Sequence, residues 1–143
     1  MLVDTNILLF ATDKSSPFHR AAAEWLIEQL SGSRRVGLSW QVLVAFLRLS
    51  TNARVWRTPL SPEEAWGQVE DWLAADVTWV PAPTARHADV MGSLVLGHHV
   101  RGNLVSDAQL AALAIEHGLT VCSADTDFAR FREIQWLNPL AAG

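Results

Sequence analysis

The sequence predicts an α/β protein built as a three-layer α/β/α sandwich around a central parallel sheet. Three observations carry this. Short apolar strand segments alternate with longer segments of helical periodicity, the pattern of strands buried on both faces. Helical segments outnumber strands, so helices must cover both faces of the sheet. The chain has 143 residues, half of them hydrophobic and 18% charged, which suits one packed unit over residues 1–143 and excludes a disordered chain.

The elements follow in chain order. Leu2-Val3 is a short apolar strand stopped by Asp4-Thr5-Asn6, and a first helix runs over 7–11 with Thr5 or Asn6 as cap. Ser16-Pro17 opens a second helix, with Pro17 at its first position. Its apolar residues Phe18, Ala21, Ala22, Trp25, Leu26 and Leu30 recur at helical spacing, and Ser31-Gly32 ends it. Residues 35–39 form a buried strand, and 41–51 a helix apolar nearly all round, hence central. A loop over 52–60 carries Arg54 and Arg57. Ser61-Pro62-Glu63-Glu64 is a capping box, and Ala65, Trp66, Val69, Trp72 and Leu73 follow on one helical face. Residues 77–80 are a third strand closed by Pro81 and Pro83. Thr84 caps a helix that buries Ala88, Met91, Leu94 and Val95. Ser106 or Asp107 caps the next, which runs to His117 with Gly118 at its end. Residues 120–123 are a fourth strand, 124–128 a turn, and 134–137 a last short strand.

Composition narrows the function. No apolar run reaches the roughly 18 residues of a membrane span. Met1-Leu2-Val3 already reads as a strand, so no signal peptide is expected and the expected compartment is the cytoplasm. A single cysteine, Cys122, excludes a disulfide framework and a cysteine-rich zinc site. The net charge of −4 argues against a nucleic-acid binder held by bulk positive charge. The charge is unevenly placed: residues 1–57 carry seven Lys/Arg against four acids, and residues 58–143 carry four against eleven.

Ligands of open parallel sheets lie outside the carboxyl ends of the strands. Asp4 follows the first strand directly, and Asp125 follows the fourth by two residues, with Asp127 two further on. From Asp107 a helix travels about 16 Å away from that edge. The returning strand covers roughly 10–13 Å. Asp4, Asp107 and Asp125 therefore belong at one edge. Two like charges about 5 Å apart repel by roughly 3 kcal/mol at an effective dielectric of about 20. A hard cation such as Mg²⁺ or Mn²⁺ relieves that repulsion. Held at a phosphodiester, it orients and deprotonates a water for in-line attack. Taken singly, each acid has a plainer role: Asp4 and Asp107 as helix caps, Asp125 and Asp127 in an Asx-turn. Three independent caps at one sheet edge are the weaker explanation. The histidines show no metal-binding spacing and read as solvated or capping, and Cys122 reads as inert.

At these residues the sequence resembles a known family. The segments V-D-T-N-I-L-L at 3–9, G-N-L-V-S-D-A-Q-L-A-A-L-A at 102–114 and H-G-L-T-V-C-S-A-D-T-D-F-A-R-F at 117–131 resemble the PIN-domain ribonucleases. The W-Q-V-L-V-A-F-L-R-L-S-T-N segment at 40–52 and W-L-N-P-L at 136–140 look like the VapC toxins of toxin–antitoxin pairs. The resemblance implies a PIN-like fold and a toxin that cuts single-stranded RNA with Mg²⁺ or Mn²⁺ held by Asp4, Asp107 and Asp125. Asp127 matches an accessory acid, and Asn6 and Ser123 match polar positions that orient the carboxylates. A homodimer and a VapB-like antitoxin partner are also implied. The family's second acid falls on Ala45, and no acid lies between Glu28 and Glu63 to replace it. That departure keeps a second reading open, a catalytically weak module that only binds RNA or its partner. A DNA or flap nuclease of the same fold is the other alternative. Arg34, Arg35, Arg54 and Arg57 are the candidate RNA-backbone contacts. A phospho-receiver domain, which wants a lysine after its last strand, is excluded because Lys14 is the only lysine.

Overall fold

The computed structural model describes residues 1–141. The chain runs β1 (Leu2–Val3), α1 (Thr5–Thr12), α2 (His19–Leu30), β2 (Val36–Gly37), α3 (Trp40–Ser50), α4 (Pro62–Ala74), β3 (Thr78–Trp79), α5 (His87–Gly97), α6 (Leu104–His117), β4 (Thr120–Cys122), a 3₁₀ turn (Thr126–Arg130) and β5 (Gln135–Leu137). The strands form one sheet in the order β3-β2-β1-β4-β5, and every pairing is parallel. From β1 the chain steps outward to β2 and β3, then crosses back to β4 on the other side of β1. Right-handed crossovers put helices from opposite steps on opposite faces. Accordingly α1 packs on α2 and α3, and α3 on α4, whereas α5 packs on α6. This is the expected α/β/α sandwich. The direction of travel reverses between β1 and β4, so their carboxyl ends flank a crevice.

The central strands are buried on both faces, with Leu2, Val3, Val36 and Val121 wholly inaccessible, whereas β3 and β5 at the sheet edges are partly exposed. Gly37 is needed where β2 passes β1 and the Pro81 ring, since a Cβ there would meet the Met1 carbonyl at 3.0 Å and Pro81 Cγ at 3.2 Å. Phe46 of α3 meets Trp72 of α4 edge-on at 4.7 Å between centroids, which seals one helical layer. Gly118 ends α6 in the left-handed region (φ 66°, ψ 42°), as its position predicts. The capping box of α4 is complete: Glu64 N donates to Ser61 Oγ and Ser61 N donates to Glu64 Oε1, both at 3.0 Å.

Several expectations need correction. Asp4, not Thr5 or Asn6, caps α1. Pro17 lies in a turn before α2, whose first residue is His19, because Ser16 Oγ accepts from Phe18 N and holds the chain in that turn. Thr84 does not cap α5. Its hydroxyl accepts from Arg86 N and donates to Glu116, and the helix starts at His87. Ala88 is exposed, and Leu94 alone of the four expected core residues of α5 is fully buried. Trp66 is exposed on α4. The helix α3 has one open face, at Trp40 and Val44. The helix α6 begins at Leu104, which puts Asp107 inside its first turn rather than at its cap.

Candidate active site

The carboxyl ends of β1 and β4 are tied by a closed hydrogen-bond network. Asp4 N donates to Cys122 O at 3.0 Å, which continues the β1–β4 ladder one residue past the strand. Asp4 Oδ1 accepts from Thr5 N at 2.7 Å, and Oδ2 accepts from Ser123 Oγ at 2.7 Å and Asn6 Nδ2 at 3.2 Å. The Ser123 hydroxyl is the hub. It donates to Asp4 and accepts from Asn6 Nδ2 and Asp125 N, each at 3.0 Å. Asn6 Oδ1 accepts from Ala124 N at 3.1 Å. Ser123 is itself fully buried and pinned through its backbone, by Leu137 O at 3.0 Å and by Trp136 Nε1 at 2.9 Å. Asp125 Oδ1 caps the 3₁₀ turn through Asp127 N at 2.8 Å. Helix initiation at Asp4 and turn initiation at Asp125 thus aim two carboxylates from adjacent strands into the crevice.

The third carboxylate arrives from the other helical layer. Asp107 projects from the first turn of α6, where the helix dipole favours negative charge. Gln41 of α3 reaches across and donates from Nε2 to Ser106 O at 2.8 Å, fixing that turn. Asp107, Asp125 and Asp127 each offer a carboxylate oxygen, and these oxygens all lie within 4.8 Å of one another. Among the described residues this is the one such group of metal-type side chains. Burial, then the charges of Asp125, Asp4 and Asp127, push the Asp107 carboxyl up to about 7, against a smaller pull from Arg130. Burial also raises Asp4, aided by Asp125, although its bonds from Ser123 and Thr5 hold it back.

Four acids lie within electrostatic reach of one another, with burial and then mutual repulsion holding Asp107 partly neutral near pH 7 and Arg130 offsetting only part of the charge, and they form a set of hard oxygen donors. Such a set fits a divalent cation of the Mg²⁺ type and offers no sulfur or nitrogen ligand for a softer one.

The structure thus brings Asp4, Asp107 and Asp125 to one edge, as the spacing implied. Asp127 joins Asp107 and Asp125 in the tightest group, and Asp4 stands beside it rather than in it. Asp125 does form the Asx-turn that was its plainer reading, and Asp4 does cap its helix, so both serve the fold and the site together. Ala45 is half-buried on α3, one turn beyond Gln41 and on the same helical face. The four candidate RNA-contact arginines do not face the acids. Arg34 and Arg35 precede β2, at the opposite end of the strands, and Arg54 and Arg57 lie in the loop beyond the far end of α3. The cation that does face the acids is Arg130. Sequence reasoning missed Arg130 and Gln41. Arg130 lies within the acidic motif itself, five residues after Asp125, and that proximity was the available signal. Four of the five histidines are spent on structure: His19 on Phe10 O, His87 on Glu116, His98 on Glu133 and His117 on Ala82 O. Burial pushes the Cys122 thiol up to about 11, consistent with an inert core residue.

An open parallel sheet with carboxylates gathered at its switch point defines a class, and a family model described as the PIN domain matches residues 1–134. The chain belongs to the PIN-domain family, in its VapC branch. Ribonuclease VapC37 of Mycobacterium tuberculosis (strain ATCC 25618 / H37Rv) is 44% identical over 140 residues, covering 98% of this chain and 97% of the relative. Ribonuclease VapC33 of the same strain is 36% identical over 140 residues, covering 98% of each. Among solved structures, VapBC2 from Rickettsia felis, bound to a DNA fragment from its promoter, superposes with a TM-score of 0.71 at 18% identity over 96% of both chains. Mycobacterium tuberculosis VapC20, described as a sarcin-ricin loop cleaving toxin, gives a TM-score of 0.68 at 20% identity, covering 94% of this chain and 98% of that one. At these identities the structural likeness speaks for the fold. No helix among the described residues is long and apolar enough to cross a membrane.

Proposed function

We propose that residues 1–143 act as one PIN domain, a metal-dependent endoribonuclease that cleaves RNA as the toxin of a VapBC-type pair. The observation that carries this is the crowding of Asp107 against Asp125, Asp4 and Asp127 at the β1–β4 crevice, in a chain whose relatives are named ribonucleases. Asp4, Asp107 and Asp125 hold Mg²⁺ or Mn²⁺, with Asp127 adjoining. When bound, that cation supplies Lewis-acid polarisation of the phosphodiester and activation of a water.

The chain's own residues do the rest. Ser123 and Asn6 fix the Asp4 carboxylate and, through Asp125 N, the loop carrying the second acid. Gln41 holds the α6 turn so that Asp107 faces them. Arg130 offsets part of the acids' charge and is the cation nearest to hand for a backbone phosphate. The partners that fit are single-stranded or structured RNA, a VapB-like antitoxin and a second copy of the chain, in the cytoplasm.

Ala45 favours one competing reading, a domain that binds RNA or antitoxin without efficient cleavage, because α3 offers no acid at the position where the family's second acid falls. A single assay separates the two. Purified protein incubated with single-stranded RNA is expected to cut it with Mg²⁺ or Mn²⁺, to stop with EDTA, and to lose cutting in Asp4→Asn and Asp107→Asn while both variants stay folded. Binding without cutting supports the competing reading, and a variant that cuts at the wild-type rate removes its carboxylate from the site.

A further inference from the structure

Two of the four arginines that miss the acidic edge share a pocket. Arg34 and Arg35, on the turn into β2, line a pocket of about 820 Å³ together with Trp79, His117 and Thr120. Most of its lining lies at the amino ends of β1, β2 and β4, with Trp79, Cys122 and Leu137 extending it along the sheet, and none of the four acids of the crevice lines it.

The chemistry of the pocket is that of an anion receptor. None of its lining residues is acidic, in a chain whose net charge is −4. Both arginines are exposed, and among the described residues neither has a carboxylate partner. The Arg35 guanidinium lies over the Trp79 ring at 4.0 Å from its centroid, and His117 packs on the same ring edge-to-face at 5.3 Å. That stack places the Arg35 charge at the pocket wall while leaving its N–H groups free to donate. His117 is oriented by its own bond from Nε2 to Ala82 O at 2.7 Å. Trp79 Nε1 is a buried donor with no acceptor among the described residues.

We propose that this pocket binds a phosphate group of an RNA strand, as an anchoring site separate from the acidic edge. Two adjacent guanidinium groups match phosphate geometry, and the pocket has room for a nucleotide rather than a lone ion. The assignment of RNA as the bearer rests on the ribonuclease reading above. Bulk charge does not hold nucleic acid on this protein, so a local cluster must. The cluster at Arg34 and Arg35 is the one with a pocket, an aromatic brace and no competing acid.

The test uses the full chain in EDTA, so that no strand is cut. A fluorescein-labelled single-stranded RNA 12-mer is titrated with wild type, Arg34→Gln, and the Arg34→Gln/Arg35→Gln double variant, between 50 and 200 mM KCl. Losing one phosphate contact lowers the slope of log Kobs against log[salt] by about 0.7 for a single strand. The double variant is expected to show at least that loss, with weaker binding at low salt. Arg34→Gln, which breaks no contact in the fold, is expected to show a smaller change of the same sign. In parallel, the Trp79 indole N–H resonance, assigned with Trp79→Phe, is followed as RNA or inorganic phosphate is added. It is expected to move with RNA and to stay still in the double variant. Unchanged affinity and slope in both arginine variants would overturn the proposal, as would an indole resonance that moves with inorganic phosphate but not with RNA. If the salt slope falls as expected but wild type with Mg²⁺ cuts nothing, the anchoring site stands and the ribonuclease reading falls. If wild type cuts RNA and the slope does not change, the reverse holds.

Discussion

The two sides of the acidic crevice are built on opposite principles. On the strand side, Asp4 receives three hydrogen bonds, and Asp125 is tied to Ser123 through its amide and to Asp127 N through its carboxylate. On the helix side, no hydrogen bond among the described residues eases Asp107, whose carboxyl is pushed up to about 7 by burial and by the acids opposite. The strand side is organised by the chain's own hydrogen bonds. The helix side is held in place by Gln41 and α6 against its own repulsion. The difference teaches that preorganisation and stored electrostatic cost are divided between the two layers, and that the cation's attraction is felt most at Asp107.

The largest effects should come from neutralising one acid on each side. Asp4→Asn and Asp107→Asn should each cut RNA cleavage by about 10²-fold or more, beyond the 10–100-fold typical of an outer partner. Their effects on the metal-free fold should have opposite signs. Asp107→Asn relieves repulsion and should raise the melting temperature at pH 8 by roughly 3–6 °C. Asp4→Asn puts an amide where an oxygen now accepts from Ser123 or Asn6, and should lower it. Melts of both variants in EDTA check this, and two shifts of the same sign would erase the distinction between the sides.

Ser123→Ala comes next. It removes the donor to Asp4 and the acceptor for Asn6 and Asp125, so a loss of roughly 1–3 kcal/mol in stability is expected. Mn²⁺ affinity should fall by about 10–100-fold, since both strand-side acids lose their common tether. Denaturant unfolding and a Mn²⁺ titration measure the two quantities separately.

The pH dependence sharpens the helix side. Asp107 has a folded value of about 7 against an ordinary 3.8. Its raised value contributes stability that is complete below about pH 4 and is lost as pH rises through 7. The melting-temperature difference between Asp107→Asn and wild type, both metal-free, should therefore be near zero at pH 4, grow through pH 5–7 and level off above. Saturating Mg²⁺ should stabilise wild type at neutral pH far more than the variant. A difference that does not vary with pH would contradict the crowding of Asp107.

The smallest expected effect is a gain. Ala45→Glu places a carboxylate on α3, one turn beyond Gln41, at a half-buried rather than a core position. Mn²⁺ affinity should rise by up to about tenfold with little change in melting temperature. A lower melting temperature with unchanged affinity would mean that the side chain turns toward Phe46 and the core.

Much of this contrast was legible in the sequence, on one side more than the other. Asp4 and Asp125 each follow a strand within a few residues, and Ser123 and Asn6 lie in the same segments, so local spacing places them. Asp107 was placed at the correct edge for a partly wrong reason. The helix starts a turn earlier, at Leu104, on an Asn103 that makes no side-chain cap bond, so no cap signal marks its true start. Gln41 and Ser106 are 65 residues apart, and nothing local announces their bond. The arginines are a different case. Arg34 and Arg35 read as candidate RNA-backbone contacts, although the strand expected over 35–39 already sets them at its amino end, away from the carboxyl edge. Amphipathic spacing also overstated burial, at Trp66 and Ala88, because it gives a helix face and not how far a neighbouring layer extends over it.

The most direct measurement is calorimetric titration of Mn²⁺ at pH 7 in two buffers of different ionisation enthalpy, on wild type and Asp107→Asn. The difference between buffers counts the protons released on binding. With Asp107 near half-protonated at that pH, wild type should release about half a proton per Mn²⁺. Asp107→Asn should bind at least tenfold more weakly and release almost none. Wild-type binding with no proton release, or equal affinity in the variant, would contradict a cation held at Asp107.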